Sequence, residues 1–208
     1  MLTISFDNVS LRFGAREVFH NFSATFAAGK IFAVTGANGS GKSTLLKLAA
    51  KFILPDEGTV KVCRNKAPLS GADYRRTIAA VMPEMRFYER LTAAENLRFL
   101  AGLRGAVCQE AESDALLRRV GLEPEAIRSV YAGQLSTGMR GRLKIAALLS
   151  ANAAVWLLDE PGANFDAAGN QLLQAETRAA ADAGKLILWA TNDAREEALA
   201  DEIVALAP

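Results

Sequence analysis

The segment Gly36-Ala-Asn-Gly-Ser-Gly-Lys-Ser43 decides how the rest of this chain is interpreted. It lies between the apolar run 31–35, which predicts a buried strand, and residues 42 to about 51, which predict a helix. Glycine permits a tight turn, and the backbone N–H groups of such a turn and of a helix N-terminus attract anions. The spacing G-x-x-x-x-G-K-[ST] therefore predicts a phosphate-binding loop.

Two side chains of this loop have the chemistry that a bound triphosphate needs. Lys42 supplies a positive charge for the β- and γ-phosphates, and the Ser43 hydroxyl can ligate Mg²⁺. The alternative is a glycine-rich turn with a solvated lysine. The flanking strand and helix favour the phosphate-binding loop, because they are the context in which such a loop occurs. The predicted nucleotide-binding residues of the loop are Gly36, Gly39, Ser40, Gly41, Lys42, Ser43 and Thr44.

An acidic pair, Asp159-Glu160, follows the apolar run Val155-Trp-Leu-Leu and precedes Pro161. A carboxylate at such a strand end can hold Mg²⁺ directly or through water, which is the role predicted for Asp159. Glu160, one residue further on, can orient or deprotonate an attacking water. Taken alone, the pair would be an acidic loop after a core strand. With the phosphate loop upstream, it predicts a metal ligand and a catalytic base.

Composition favours a single globular domain. The chain has 208 residues, of which 50% are hydrophobic and 23% charged, as in ordinary globular proteins. The net charge of +1 gives little electrostatic attraction for nucleic acid, so no nucleic-acid partner is expected. No apolar run approaches the roughly 20 residues of a membrane-spanning helix, and no signal peptide is indicated. The two cysteines, Cys63 and Cys108, are expected to be reduced thiols.

Hydrophobic patterning divides the chain into three kinds of structure. Apolar runs at 77–82, 154–158 and 186–191, together with 31–35, favour a parallel sheet that is buried on both faces. Residues 92–133 have helical spacing and predict a helical insert. The alternating N-terminal segments predict antiparallel strands with hairpins around three glycines, Gly14, Gly29 and Gly58.

The predicted parallel strands end in polar residues. They run into Gly36, Glu84, Asp159-Glu160 and Asn192-Asp193. In open α/β sheets, ligands bind outside the carboxyl ends of the strands. The sequence therefore predicts that these residues form one site.

The segment Gln134-Leu-Ser-Thr-Gly-Met139, ahead of the basic stretch RGRLKIAALL, resembles the LSGGQ signature of the ATP-binding subunits of ABC transporters. Ser136 can cap the following helix, and its hydroxyl with the free N–H groups makes a second anion site. The resemblance covers nearly the whole chain. It implies that Ser136 and Gly138 contact ATP held by the opposite subunit, in a head-to-tail, ATP-dependent homodimer.

The resemblance also implies a fold class and a domain organisation. The expected fold is α/β, with a RecA-like P-loop NTPase core around a mostly parallel sheet. An antiparallel β arm and a helical subdomain at about 84–133 complete a single domain of residues 1–208.

Softer matches to the family add further expectations. Phe13 lies where the family places an aromatic ring on adenine, although a ring in the hairpin core is the alternative. Asn38 matches a common asparagine of the family's phosphate loop. Ala163-Asn-Phe-Asp166 matches the family's D-loop, and 91–97 resembles the segment that opens the helical subdomain.

Two departures from the family concern the site itself. Glu84 stands where the family has a glutamine that binds magnesium and water, and a carboxylate there could still ligate Mg²⁺. Asn192 stands where the family has a histidine, and its amide can donate a hydrogen bond to phosphate but cannot take up a proton. Both substitutions concern the rate of hydrolysis more than nucleotide binding. A surface glutamate and a turn-forming asparagine are the alternatives.

The function that the resemblance implies is ATP binding and hydrolysis, with Mg²⁺, coupled to export. ATP-driven dimerisation would act on separate integral membrane subunits, with this chain peripheral on the cytoplasmic face of the membrane. The sub-family it resembles most is that of the small ATPases of cytochrome c biogenesis, or haem export. Two alternatives stay open: a nucleotide-binding module with weak or no hydrolysis, and a soluble ABC ATPase outside transport.

Overall fold

The computed structural model describes residues 1–163 and 165–206. The chain packs into two compact units. The first unit comprises Met1–Ala80, Ala154–Glu160 and Glu176–Pro208, and the second comprises Val81–Ala153 and Pro161–Ala175. The strands are β1 (Leu2–Phe13), β2 (Arg16–Ala27), β3 (Lys30–Thr35), β4 (Glu57–Arg64), β5 (Ala67–Pro68), β6 (Ile78–Val81), β7 (Val155–Asp159), β8 (Leu186–Ala190) and β9 (Glu202–Ala205).

The helices range in length from four to sixteen residues. They are α1 (Lys42–Ala49), α2 (Gly71–Thr77), α3 (Ala93–Leu103), α4 (Glu110–Arg119), α5 (Pro124–Ile127), α6 (Thr137–Ser150), α7 (Ala167–Asp182) and α8 (Ala194–Glu197), with a 3-10 turn at Ala132–Gln134. In the described part of the chain, none of them combines the length and the hydrophobicity that crossing a bilayer would require.

A five-stranded sheet in the order β6-β7-β8-β3-β9 carries the predicted core strands. β7 pairs with β8, and β3 pairs with both β8 and β9, all in parallel. Every residue of β7 and β8 is buried, as a continuous apolar run predicts for a strand covered on both faces. The sequence prediction of a parallel sheet is confirmed, and the carboxyl ends of β3, β7 and β8 lie at one edge.

β9 is a strand that the sequence analysis missed. Glu202, Ile203 and Ala205 are exposed, because β9 lies at the edge of the sheet beside β3. A four-residue strand that begins with a charged residue contains no apolar run from which it could be predicted. Its position depends on pairing with β3 rather than on its own composition.

The antiparallel arm is a second sheet in the order β2-β1-β4-β5. β1 and β2 are long and joined by a tight turn at Gly14, as predicted. The hairpin predicted around Gly29 is wrong, because the turn at Gly29 leads from β2 into β3 of the other sheet.

The hairpin predicted around Gly58 is also wrong. Gly58 lies inside β4, opposite an irregularity in the β1–β4 register between Asp7 and Ser10. Its φ is +80°, and a Cβ there would overlap the backbone of Asn8 and lie 2.5 Å from the carbonyl oxygen of Asp7. The glycine marks a close approach of two strands within the ladder.

Helices occupy the stretch that the sequence predicted to be a helical insert. α3 begins with a capping box, in which Thr92 Oγ1 accepts a hydrogen bond from Glu95 N and the Glu95 carboxylate accepts one from Thr92 N. Buried Asn96 then donates to the carbonyls of Tyr88, Leu91 and Thr92. These bonds fix the chain immediately before α3. The subdomain boundary at 84–133 stays a prediction.

Gly58→Ala should destabilise the protein more than Gly184→Ala. Both glycines adopt a left-handed φ, +80° and +87°, but a Cβ at Gly184 has no atom within 4 Å. The left-handed backbone alone should lower the free energy of unfolding by about 1–2 kcal/mol in each variant. The overlap with Asn8 should remove a further ~1–3 kcal/mol in Gly58→Ala. Urea denaturation of the two variants measures the difference, and equal losses would show that the β1–β4 approach is not close.

Candidate functional site

The phosphate loop joins β3 to α1 in a conformation that depends on glycine. Gly36 has φ +143°, and a Cβ there would lie 2.6 Å from Ser40 Oγ and 2.7 Å from the carbonyl oxygen of Leu206. α1 follows at Lys42, so its first backbone N–H groups point into the loop. The sequence prediction of a glycine-rich turn between a buried strand and a helix is confirmed.

Lys42 is folded back over this loop. Its side chain is buried, and Nζ donates hydrogen bonds to the carbonyl oxygens of Gly36 at 2.7 Å and Ala37 at 3.1 Å. An ammonium group has three protons, so the loop itself orients the charge. The positive group is therefore held where the phosphates of a nucleotide would meet the start of α1.

Ser43 and Asp159 are the two predicted metal ligands that the first unit contains, and they are in contact. Ser43 Oγ donates a hydrogen bond of 3.0 Å to Asp159 Oδ1, and Asp159 is buried at the end of β7. A hydroxyl and a carboxylate are hard oxygen donors of the kind that Mg²⁺ prefers. No group of three or more His, Cys, Asp and Glu side chains suited to a metal exists among residues 1–163 and 165–206. The pair therefore fits Mg²⁺ only where phosphate and water supply the other ligands, as is usual for this ion.

Ser40 provides an independent sign that the loop faces a ligand. Its hydroxyl is buried and makes no hydrogen bond within the described residues. A buried hydroxyl without a partner is unfavourable by about 1–3 kcal/mol. A phosphate oxygen would satisfy it.

Three exposed polar side chains meet beside the loop. Asn192 Nδ2 donates to Asn38 Oδ1 at 2.9 Å and lies 3.4 Å from Glu160 Oε1. Glu160 has φ +45°, uncommon for a residue with a side chain, and its N–H donates to the carbonyl oxygen of Ala190. Backbone strain of this kind is concentrated at functional sites. The structure thus brings together three residues predicted from separate segments of the sequence.

Phe13 and Arg16 lie at the tip of the β1–β2 hairpin and face each other in the ladder. The Phe13 side chain is 54% exposed, so it is not the hairpin core residue of the alternative interpretation. Arg16 donates a hydrogen bond to the carbonyl oxygen of Gly39, which links the hairpin tip to the phosphate loop. The sequence analysis did not identify Arg16, because a charged residue near a hairpin turn is ordinarily solvated.

The remaining predicted residues belong to the second unit. Ser136 caps α6, and its hydroxyl accepts a hydrogen bond of 3.2 Å from Met139 N. A Cβ at Gly138 would have no atom within 4 Å, so this face of the helix start is open. Glu84 is exposed in the loop after β6. The roles of Ser136, Gly138 and Glu84 toward nucleotide and metal stay predictions.

The predicted D-loop segment 163–166 includes Asn164, which lies outside the described residues. At its end, Asp166 Oδ1 accepts a hydrogen bond of 2.6 Å from Gly169 N and contacts Arg142 at 3.4 Å. These contacts hold the start of α7.

The sequence matches the ABC transporter family over residues 19–163. The chain belongs to this family, as one of its ATP-binding subunits. The matched region contains the phosphate loop, the signature segment and the acidic pair, whereas Phe13 and Asn192 lie outside it.

Three curated relatives of this ABC subunit are named as ATP-binding proteins of export systems. A cytochrome c biogenesis ATP-binding export protein from Saccharophagus degradans is 36% identical over 185 residues, covering 85% of this chain and 81% of its own length. One from Rhizobium etli is 35% identical, covering 89% and 86%. The Nod factor export ATP-binding protein I of Burkholderia lata is 34% identical, covering 98% of this chain and 67% of its own.

Solved structures agree with the expected fold class. An ATP-binding subunit of an ABC transporter matches with a TM-score of 0.86 at 27% identity, covering 98% of this chain and 85% of that chain. A dimeric ATP-binding cassette in a post-hydrolysis state, bound to ADP and Pi, matches with a TM-score of 0.83 at 25% identity, covering 98% and 94%. The prediction of an α/β P-loop NTPase fold is confirmed.

Proposed function

We propose that this ABC subunit hydrolyses ATP and that hydrolysis drives export through separate integral membrane subunits. The observation that carries the proposal is the Ser43–Asp159 contact beneath the phosphate loop, with Lys42 folded over that loop. Each of these residue types is needed where a triphosphate and a magnesium ion are bound together. A purely structural loop would not require them.

In this proposal, each residue of the first unit has one task. Backbone N–H groups from Gly36 to Thr44 and the Lys42 ammonium bind the phosphates, and Ser40 Oγ donates to a phosphate oxygen. Ser43 and Asp159 would hold Mg²⁺, which would supply positive charge to offset the negative charge of the phosphates. Phe13, exposed at the hairpin tip, stacks on the adenine ring.

Glu160 is the proposed general base. Its carboxylate takes a proton from a water as that water attacks the γ-phosphorus, and the bond to the β–γ bridging oxygen breaks, leaving ADP and phosphate. Asn192 has two amide N–H groups. One holds the Glu160 carboxylate, 3.4 Å away, and the other, which donates to Asn38 Oδ1 in this structure, can turn to a phosphate oxygen when ATP binds. The amide is neither protonated nor deprotonated near neutral pH, so it positions the carboxylate and does not titrate.

A second copy of the chain completes the proposed site. Ser136 and Gly138 of that copy contact the γ-phosphate through the open N-terminus of α6. Glu84 of the first copy would add a metal ligand to the Ser43–Asp159 pair. The dimeric post-hydrolysis cassette supports this arrangement as a relative of similar fold. The membrane subunits dock on the helical subdomain at about 84–133, with the chain on the cytoplasmic face of the membrane.

The names of two relatives support export for cytochrome c biogenesis as the transport function, and the family resemblance implies haem as the cargo. The alternative within the family is a nucleotide-binding module with weak turnover. Glu84 and Asn192 favour that alternative, because one adds negative charge beside the γ-phosphate and the other cannot accept a proton. Measured ATP turnover that disappears in Glu160→Gln would exclude it.

Glu160→Gln should trap an ATP-bound dimer. The amide keeps the shape of the side chain but cannot take the proton, so ATP stays intact between two copies. Size-exclusion chromatography with saturating ATP and Mg²⁺ should show a dimer that ADP does not produce. The matched control is Glu197→Gln, a half-buried glutamate on α8. A monomeric Glu160→Gln under these conditions would contradict the dimer model.

The pH–rate profile of ATP turnover should lack a titration step at about pH 6.5, the ordinary pKa of a histidine side chain. His20, the one histidine in the sequence, lies exposed on β2, and Asn192 does not titrate. Asn192→His should introduce such a step, and His20→Ala should change nothing. A step near that pH in the wild type that persists in His20→Ala would disprove the role given to Asn192.

A further inference from the structure

The segment that carries Asn192 is fastened on both sides of that residue. Thr191 N donates to the carbonyl oxygen of Val34 at 3.1 Å, which ties the end of β8 to β3. Asp193 N donates to Thr191 Oγ1 at 2.9 Å. The side chain of Thr191 therefore determines the position of the backbone that follows Asn192.

Thr191 is in turn anchored by a buried carboxyl group. Glu196 is 8% exposed, and its Oε2 accepts hydrogen bonds from Thr191 Oγ1 and, at 3.1 Å, from Trp189 Nε1. Because Thr191 Oγ1 accepts from Asp193 N, its single hydrogen is directed toward Glu196. Glu196 Oε2 therefore orients the Thr191 hydroxyl, and that hydroxyl in turn orients the backbone that follows Asn192.

The environment of Glu196 is unfavourable for a carboxylate. Burial raises the pKa of Glu196, and the hydrogen bonds from Thr191 and Trp189 oppose that shift only in part. Burying a carboxyl group is unfavourable unless hydrogen bonds replace the hydration that it loses. The convergence of two donors on one oxygen gives this group a purpose: it fixes Thr191.

We propose that Glu196 is a positioning residue that acts through Thr191 to hold the Asn192 amide against Asn38 and Glu160. Glu196 itself touches neither nucleotide nor water in this scheme. Its effect on turnover rests on the proposed hydrolytic function, whereas its effect on the geometry of the Asn192 segment does not. The rival explanation is that Glu196 merely stabilises the corner between β8 and α8.

Four variants separate the two explanations. Glu196→Ala removes the acceptor, Thr191→Val removes the hydroxyl without changing its shape, and Glu196→Gln retains an oxygen that can accept from both donors. Glu197→Ala, the neighbouring half-buried glutamate, is the matched control. Thr191→Val also keeps the test valid where Glu196→Ala fails to fold.

The variants should affect the rate of ATP turnover more than the affinity for Mg·ATP. Glu196→Ala and Thr191→Val should lower the kcat of ATP hydrolysis by about tenfold or more, while the Kd for Mg·ATP changes less than about threefold. Glu196→Gln should restore kcat to within about twofold, and Glu197→Ala should match the wild type. A merely structural role predicts a lower Tm with kcat unchanged in the folded fraction, and that result would overturn the proposal.

A double-mutant cycle tests whether Glu196 acts through Asn192. In an Asn192→Ala background, Glu196→Ala should cause no further loss of kcat, because the group it positions is already gone. Independent, multiplicative losses would overturn the proposal.

Amide hydrogen exchange does not depend on ATP turnover, so it distinguishes failure of this inference from failure of the proposed function. Amide hydrogen exchange at Asp193, followed by NMR, should accelerate by about tenfold or more in Glu196→Ala and Thr191→Val. Exchange at Leu188, inside β8, should stay unchanged. A wild-type chain that does not hydrolyse ATP would refute the proposed function alone. Unchanged exchange at Asp193 would refute the positioning role of Glu196 whatever the turnover.

Discussion

The structure depends on donors that are already in place to bind a dense negative charge at one edge of the parallel sheet. A triphosphate brings several charges into a space a few ångströms across, and only preorganised donors can neutralise them there without reorganisation. Backbone N–H groups at the start of α1 provide most of these donors. Lys42 provides the one full positive charge that the phosphate loop contains, and the carbonyls of Gly36 and Ala37 hold it in place.

The five-stranded sheet supplies the rigidity that this arrangement needs. β3 ends in the phosphate loop, β7 ends in Asp159, and β8 ends just before Asn192. Because the three strands are parallel neighbours, their ends are fixed relative to each other by the ladder and by the apolar packing of β7 and β8. The Ser43–Asp159 bond and the Asn192–Asn38 bond each join two of these ends.

The sequence was sufficient to predict the parts of the molecule whose chemistry is local. The phosphate loop, the acidic strand end and the helical stretch before the signature each have a pattern that short-range physics explains. The turn predicted at Gly58 is wrong, because a glycine that permits two strands to approach looks the same in sequence as one that permits a turn. Arg16 and Glu196 were missed for a related reason: their partners, Gly39 and Thr191, become visible only once the chain is folded.

The proposed function requires this chain to bind the phosphates of Mg·ATP through the phosphate loop and Lys42. Isothermal titration calorimetry of the intact chain with Mg·ATP tests it most directly, using Lys42→Ala and, as a matched control, Lys61→Ala on the exposed side of β4. We expect saturable heat for the wild type and for Lys61→Ala. In Lys42→Ala the affinity should fall by about tenfold or more, because a charge-assisted contact is lost. No heat from the wild type, or the same binding curve after Lys42 is replaced, would contradict it.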